Sequence, residues 1–112
     1  MNLPSAHGTA VRIEATVFNK LDDVLARRYE RGGLKDQEVA LLIVECADGQ
    51  SKQVRERIEA LGGVVKHSLP EYGIFSAELS LDRVVALAAA DDVLSVGVEP
   101  EYRLASPALY QP

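Results

Sequence analysis

The chain has 112 residues, 47% of them apolar and 26% charged, with a formal net charge of −5 at pH 7, which is enough for one domain with a single core and too little for two. No apolar run is long enough to span a bilayer, and the first residues, MNLPSAHGTA, carry neither a basic start nor a hydrophobic stretch. These features exclude a membrane partner and a signal peptide, and predict a cytoplasmic protein if the chain is complete as given.

Charge is unevenly spread, with six basic and five acidic side chains in residues 1–37 against six and twelve in residues 38–105. An acidic unit without a basic stripe speaks against nucleic acid as a partner. The single cysteine, Cys46, can form no internal disulfide and no metal site alone, and at the end of an apolar run it reads as a half-buried thiol.

Residues 10–17 alternate apolar and polar, as in a half-buried strand, with a loop as the alternative. Val17, Leu21, Val24 and Leu25 then share one helical face, with Asp22 or Thr16 as cap and Gly32-Gly33 as stop. Gly33 to Gln37 reads as a hinge. The run Glu38 to Cys46, EVALLIVEC, has the near-continuous apolar character of a central strand covered on both faces. Asp48-Gly49 turns the chain into an amphipathic helix from Ser51 to Leu61, with Val54, Ile58 and Leu61 on one stripe and Gly62-Gly63 ending it. Val64 to Leu69 is a second strand and Pro70 to Gly73 a turn.

In the third strand Phe75, Ala77 and Leu79 alternate with Ile74, Ser76 and Glu78, so the apolar set should face the helices. Ser80 is read as the N-cap of a helix through Ala90, with Leu81, Val84, Val85 and Ala88 on its buried face and Asp82 favouring its N-terminus. Asp91-Asp92 breaks that helix, Val93 to Val98 is the last strand, and Pro100 ends it. The order β-α-β-β-α-β predicts an α+β, ferredoxin-like sandwich: a four-stranded antiparallel sheet, first and third strands central, two helices on one face. Residues 1–37 form an N-terminal extension with one helix, 38–100 the domain, and 101–112 an extended tail. The other face of such a sheet must be solvated or meet a partner.

Catalytic chemistry is hard to build from these residues. His67 and Ser68 are strand neighbours whose side chains point to opposite faces, so they cannot act as base and nucleophile, and His7 lies in the leader. Asp91-Asp92 and the pair Glu99 and Glu101 lack the loop of oxygen donors that calcium needs. Neither glycine pair is followed by the Gly-Lys-Ser/Thr of a phosphate loop. Phe75 stands alone where an RNA-binding sheet would carry several stacking aromatics. These readings predict a non-enzymatic binding module without cofactor or metal.

The segments EVALLIVEC and VRERIEALGGVVKHSLPEYGIFSAELSLDRVVALAAADDVLSVGVEP, over residues 38–105, resemble the propeptide domains of subtilisin-like serine proteases and the stand-alone inhibitors related to them. The resemblance rests on Leu61-Gly62-Gly63-Val64, on Gly73 to Leu79, and on the passage through Asp91-Asp92-Val93 to Val96. Upstream, Lys20 to Leu25 looks like the helix that precedes this domain in some bacterial precursors. The resemblance implies that the bare sheet face docks on two helices of a protease, that acidic residues near the end of the last strand cap those helices, and that the tail lies in the substrate cleft. Transferred to this chain, the contact residues are Glu78, Glu99, Glu101, Tyr102, Arg103, Leu104 and Ala105, with Ala105 just before the scissile position. A later register would use Pro107, Leu109 and Tyr110. Gly97 and Val98 depart from the family pattern, standing where many relatives carry acidic residues.

The expected function is thus binding and inhibition of a subtilisin-like protease, in cis as a propeptide that also assists folding or in trans as an inhibitor, by a domain that is monomeric when free. The alternative is a small-ligand-binding regulatory or oligomerisation domain of the same topology, with Gly49 or Gly73 at the ligand loop.

Overall fold

The computed structural model describes residues 14–35 and 37–99. Four antiparallel strands, β1 (Val39–Cys46), β2 (Val64–Leu69), β3 (Ile74–Ser80) and β4 (Val93–Val98), form one sheet in the order β2-β3-β1-β4. The first and third strands are central, as the β-α-β-β-α-β pattern requires. Four helices accompany them: α1 (Ala15–Phe18), α2 (Asp23–Glu30), α3 (Ser51–Ala60) and α4 (Val84–Ala88). None of the described helices is long and apolar enough to cross a membrane.

The core is one-sided. On β1, Ala40, Leu42, Val44 and Cys46 are buried while the residues between them are not, and on β3 the buried set is Phe75, Ala77 and Leu79. Every helix sends side chains to this same side: Val17 and Phe18 from α1, Leu25 from α2, Val54 and Ile58 from α3, and Val84, Leu87 and Ala88 from α4. Among the described residues no polar or charged residue is buried, so this core needs no internal hydrogen-bond partners. Fully burying one such aliphatic side chain is worth about 1.5–3 kcal/mol.

Two bulges adapt the outer strands to this core. Glu45 pairs with Ser95 and Cys46 with Val93, so Leu94 is the extra residue; it is 53% exposed while Val93 and Val96 both point inward. In β2 the extra residue is Lys66, between Val65, opposite Ala77, and His67, opposite Ser76. The bulge and its exposed lysine blunt the outer edge of β2.

Several expectations need correction. Ala15 to Val17 lie in a helical turn, not a strand; residues 10–13 lie outside the described part. Lys20 lies in a turn, Leu21 is bridged in parallel to Val96, Asp22 is the extended N-cap, and the helix starts at Asp23. Val24 is 45% exposed, because the buried face of α2 runs through Leu25 with Ala26 and Tyr29. The presumed hinge is a 3-10 turn, Gly33–Lys35, that Leu34 anchors in the core. β1 is covered on one face only, since Leu41 and Ile43 are half-buried on the other. After β3 the chain makes a 3-10 turn, Leu81–Arg83, before the short α4; the Ser80 hydroxyl donates to Asp82 instead of capping.

The segment 14–35 is stitched to the domain. Lys20 Nζ donates to the carbonyls of Ala88 and Ala90, both at 2.9 Å, putting a cation at the C-terminal end of α4. Arg28 Nη2 meets Glu38 Oε1 at 2.7 Å, and the rings of Phe18 and Tyr29 meet edge to face at 5.8 Å. Close to the Lys20 contacts, Arg57 of α3 grips Asp92, just before β4, through Nε–Oδ1 at 3.2 Å and Nη2–Oδ2 at 2.9 Å.

Hydrogen bonding from Arg57 holds the Asp92 carboxyl below its ordinary range, against the opposing effect of desolvation. A depressed carboxylate stabilises the fold above its ordinary pKa and loses that contribution as pH falls through its folded value. Arg57→Ala should therefore cost a few tenths to about 1 kcal/mol at neutral pH, with Arg57 itself partly solvent-screened. In urea unfolding, the gap between variant and wild type should close on acidification below the carboxylate range. A second outcome concerns the α3–β2 corner, where a side chain on Gly63 would lie 2.8 Å from Ile58 Cγ2 and 3.0 Å from the Glu78 carbonyl oxygen. Gly63→Ala should lower the unfolding free energy by about 1–3 kcal/mol.

Candidate functional site: the uncovered sheet face

Strand register gives the content of the face opposite the helices. One row across the sheet runs Leu69, Ile74, Glu45, Ser95; the next runs His67, Ser76, Ile43, Gly97; a third holds Val64, Glu78 and Leu41. Beyond β4, Glu99 extends the third row: its amide donates to the Leu41 carbonyl at 2.9 Å. Leu69, Ile74, Ile43 and Leu41 thus make a diagonal aliphatic stripe, with Val64 at a corner. Val64 and Leu69 are 54% and 50% exposed, and Leu41, Ile43 and Ile74 are half-buried. These side chains retain much of the free energy that full burial would release.

The stripe is flanked by carboxylates at both ends. Glu78 and Glu99 both neighbour Leu41, one from β3 and one from the end of β4. Glu45 lies two rows away and accepts a hydrogen bond from Ser95 Oγ at 2.8 Å. An apolar strip with acidic ends suits a partner surface that is apolar in the middle and positive at its margins, such as helix N-termini.

Of the residues implicated by sequence, Glu78 and Glu99 are therefore brought to one end of this face. Glu101, Tyr102, Arg103, Leu104, Ala105, Pro107, Leu109 and Tyr110 lie outside the described residues. His67 stands on the uncovered face, opposite Ser76, and Ser68 points the other way, opposite Phe75. Asp92 is engaged by Arg57. Gly49 sits in the turn before α3, and a β-carbon on Gly73 would lie 2.7 Å from the Cys46 carbonyl oxygen, while the Gly73 carbonyl accepts from the Cys46 amide.

Three contributors escaped sequence reading: Leu41, Ile43 and Glu45. Reading β1 as covered on both sides hid them. The i, i+2 spacing of Leu41, Ile43 and Glu45, out of phase with Leu42, Val44 and Cys46, is the signal that could have found them.

The edge of β4 is not open. Val96 N donates to the Lys20 carbonyl at 2.9 Å, Asp22 N donates to the Val96 carbonyl at 3.0 Å, and Val98 N donates to Asp22 Oδ2 at 2.8 Å. Residues 20–22 thus satisfy the outward amide and carbonyl of Val96 and the outward amide of Val98.

The family model described as "Putative peptidase inhibitor domain" matches residues 8–99. No curated protein and no solved structure matches the chain. The match takes in every described strand and helix, together with the whole uncovered face, and the chain belongs to this family of peptidase inhibitor domains.

Proposed function

We propose that this domain inhibits a subtilisin-like serine peptidase by docking its uncovered sheet face on the enzyme and laying the segment after residue 99 in the substrate cleft. The observation that carries the reading is the one-sided sheet: all described helices bury against one face, and the other presents an aliphatic stripe beside the strand end that leads into the C-terminal segment. Membership of a peptidase inhibitor family supplies the peptidase. The subtilisin type follows from the sequence resemblance over residues 38–105, as do the roles of Glu78, Glu99 and Glu101 at helix N-termini.

The energetics divide in two. Docking the stripe gains apolar burial, and carboxylates beside positive helix ends add specificity and a few tenths to about 1 kcal/mol each. A peptide that pairs with the cleft as an added strand gains main-chain hydrogen bonds, with Ala105 preceding the scissile position in the first register and Tyr110 in the second. Holding that peptide on a folded domain lowers the ordering cost of binding. As a propeptide in cis the same contacts would template the folding of the peptidase; in trans they would only inhibit it.

Titration of a subtilisin-like peptidase with the intact chain should show inhibition at or below about micromolar concentration. Removing residues 101–112 should weaken it at least roughly tenfold, the loss expected from several main-chain hydrogen bonds; it takes away no described core residue, since these lie between Leu21 and Val96. Ile43→Arg should weaken inhibition by roughly tenfold or more with little change in unfolding midpoint, because Ile43 is outside the core. Inhibition of another peptidase class, with none of subtilisin-like enzymes, would overturn the proposed target.

A further inference from the structure

The Asp22 carboxylate is shared between two elements that are far apart in sequence. Its Oδ1 accepts from the Leu25 amide at 2.8 Å and so caps α2; its Oδ2 accepts from the Val98 amide at 2.8 Å. Val98 is the last residue of β4, and Glu99, whose amide is held by Leu41 on the other side, is the last before the C-terminal segment begins. The strand end is thus gripped from both edges: by β1 through Leu41 and by the leader through Asp22.

Gly97 makes this grip possible. A β-carbon there would lie 2.8 Å from Asp22 Oδ2 and 3.1 Å from its Cγ, inside contact distance. Any side chain at 97 would compete for the space that the leader's carboxylate fills.

We infer that Asp22 is a positioning residue for inhibition: it clamps the end of β4 at Val98 and so fixes the root of the segment that the proposed function lays in the peptidase cleft. The inference rests on the tail-in-cleft reading above. The physical ground is preorganisation. A peptide whose root is fixed loses less freedom on entering a cleft than one whose root frays, and a charge-assisted hydrogen bond is strong enough to hold a strand end that β1 pairs on one side only.

The chemistry of the side chain separates clamp from cap. Asparagine is as good a helix cap as aspartate. However, it has one acceptor oxygen, so Asp22→Asn can serve Leu25 or Val98 but turns an NH2 donor toward the other amide. Gly97→Ala displaces the carboxylate without altering residue 22.

The test is a cycle on the whole chain. Inhibition constants are measured for wild type, Asp22→Asn and Gly97→Ala, each with and without residues 101–112, alongside exchange of the Val98 amide in the free protein. Each substitution is expected to weaken inhibition by the full-length chain roughly tenfold, the value of one charged hydrogen bond. Asp22→Asn should change inhibition by the shortened chain less than about twofold, and Val98 exchange should accelerate in both variants. A purely structural role would instead weaken long and short forms equally, and that result overturns the clamp. So does unchanged inhibition by full-length Asp22→Asn and Gly97→Ala when shortening wild type is itself harmful. If shortening wild type has no effect, the tail-in-cleft reading falls and takes the clamp with it. Should Asp22→Asn not fold, Asp22→Ser, which keeps a capping oxygen but has no second one for Val98, decides by the same comparison.

Discussion

Ala40, Leu42 and Val44 on β1, together with Phe75, Ala77 and Leu79 on β3, form the surface against which the helices pack. Because these two strands are central and alternate in register, one set of side chains takes the cover of the described helices and the opposite set takes none of it. The burial of α3 and α4, the docking of α2 and the exposure of the Leu41–Ile43 stripe are consequences of that single allocation. Any change that reversed it, such as a one-residue slip of β1, would put Glu45 in the core.

The outer strands are adjusted to the same allocation. β4 spans from Val93 to Val96 with both pointing inward, which a regular strand cannot do, and the bulge at Leu94 resolves the conflict. Its free edge would invite pairing with another chain. The leader removes that hazard with two backbone hydrogen bonds and the Asp22 side chain, and Lys20 ties the same stretch to the end of α4. At the other edge β2 relies on its Lys66 bulge. Residues 14–35 are consequently part of the domain's own packing: Leu21, Leu25 and Leu34 enter the core, and their neighbours finish the sheet.

In the mode of inhibition proposed above, two recognition elements lie next to each other. The aliphatic stripe ends at Leu41, between Glu78 and Glu99, and Glu99 is also where the chain leaves the sheet. A surface that docks and a peptide that could enter a cleft are then joined through one strand end. In that proposed mode the proximity matters because a docked face would fix the position of the peptide's root before the peptide itself is engaged, turning two weak encounters into one.

Composition and alternation by themselves determined the order of the four strands β1 to β4, the side of β3 that goes inward, and the amphipathic α3 with its stop at Gly62. Those features depend on local periodicity and on turn-forming residues, which a chain carries without reference to its fold. Tertiary structure alone decided that Leu41 and Ile43 remain uncovered, that Lys20 to Asp22 close a sheet edge instead of starting a helix, and that Gly97 leaves room for a carboxylate 75 positions earlier in the chain. An apolar run such as ALLIV reads the same whether one face or two will be covered, and a short polar side chain such as Asp22 shows a helix cap locally but not the distant amide it also binds. Both outcomes depend on which elements meet across the sheet, and that is settled only when the long-range packing forms.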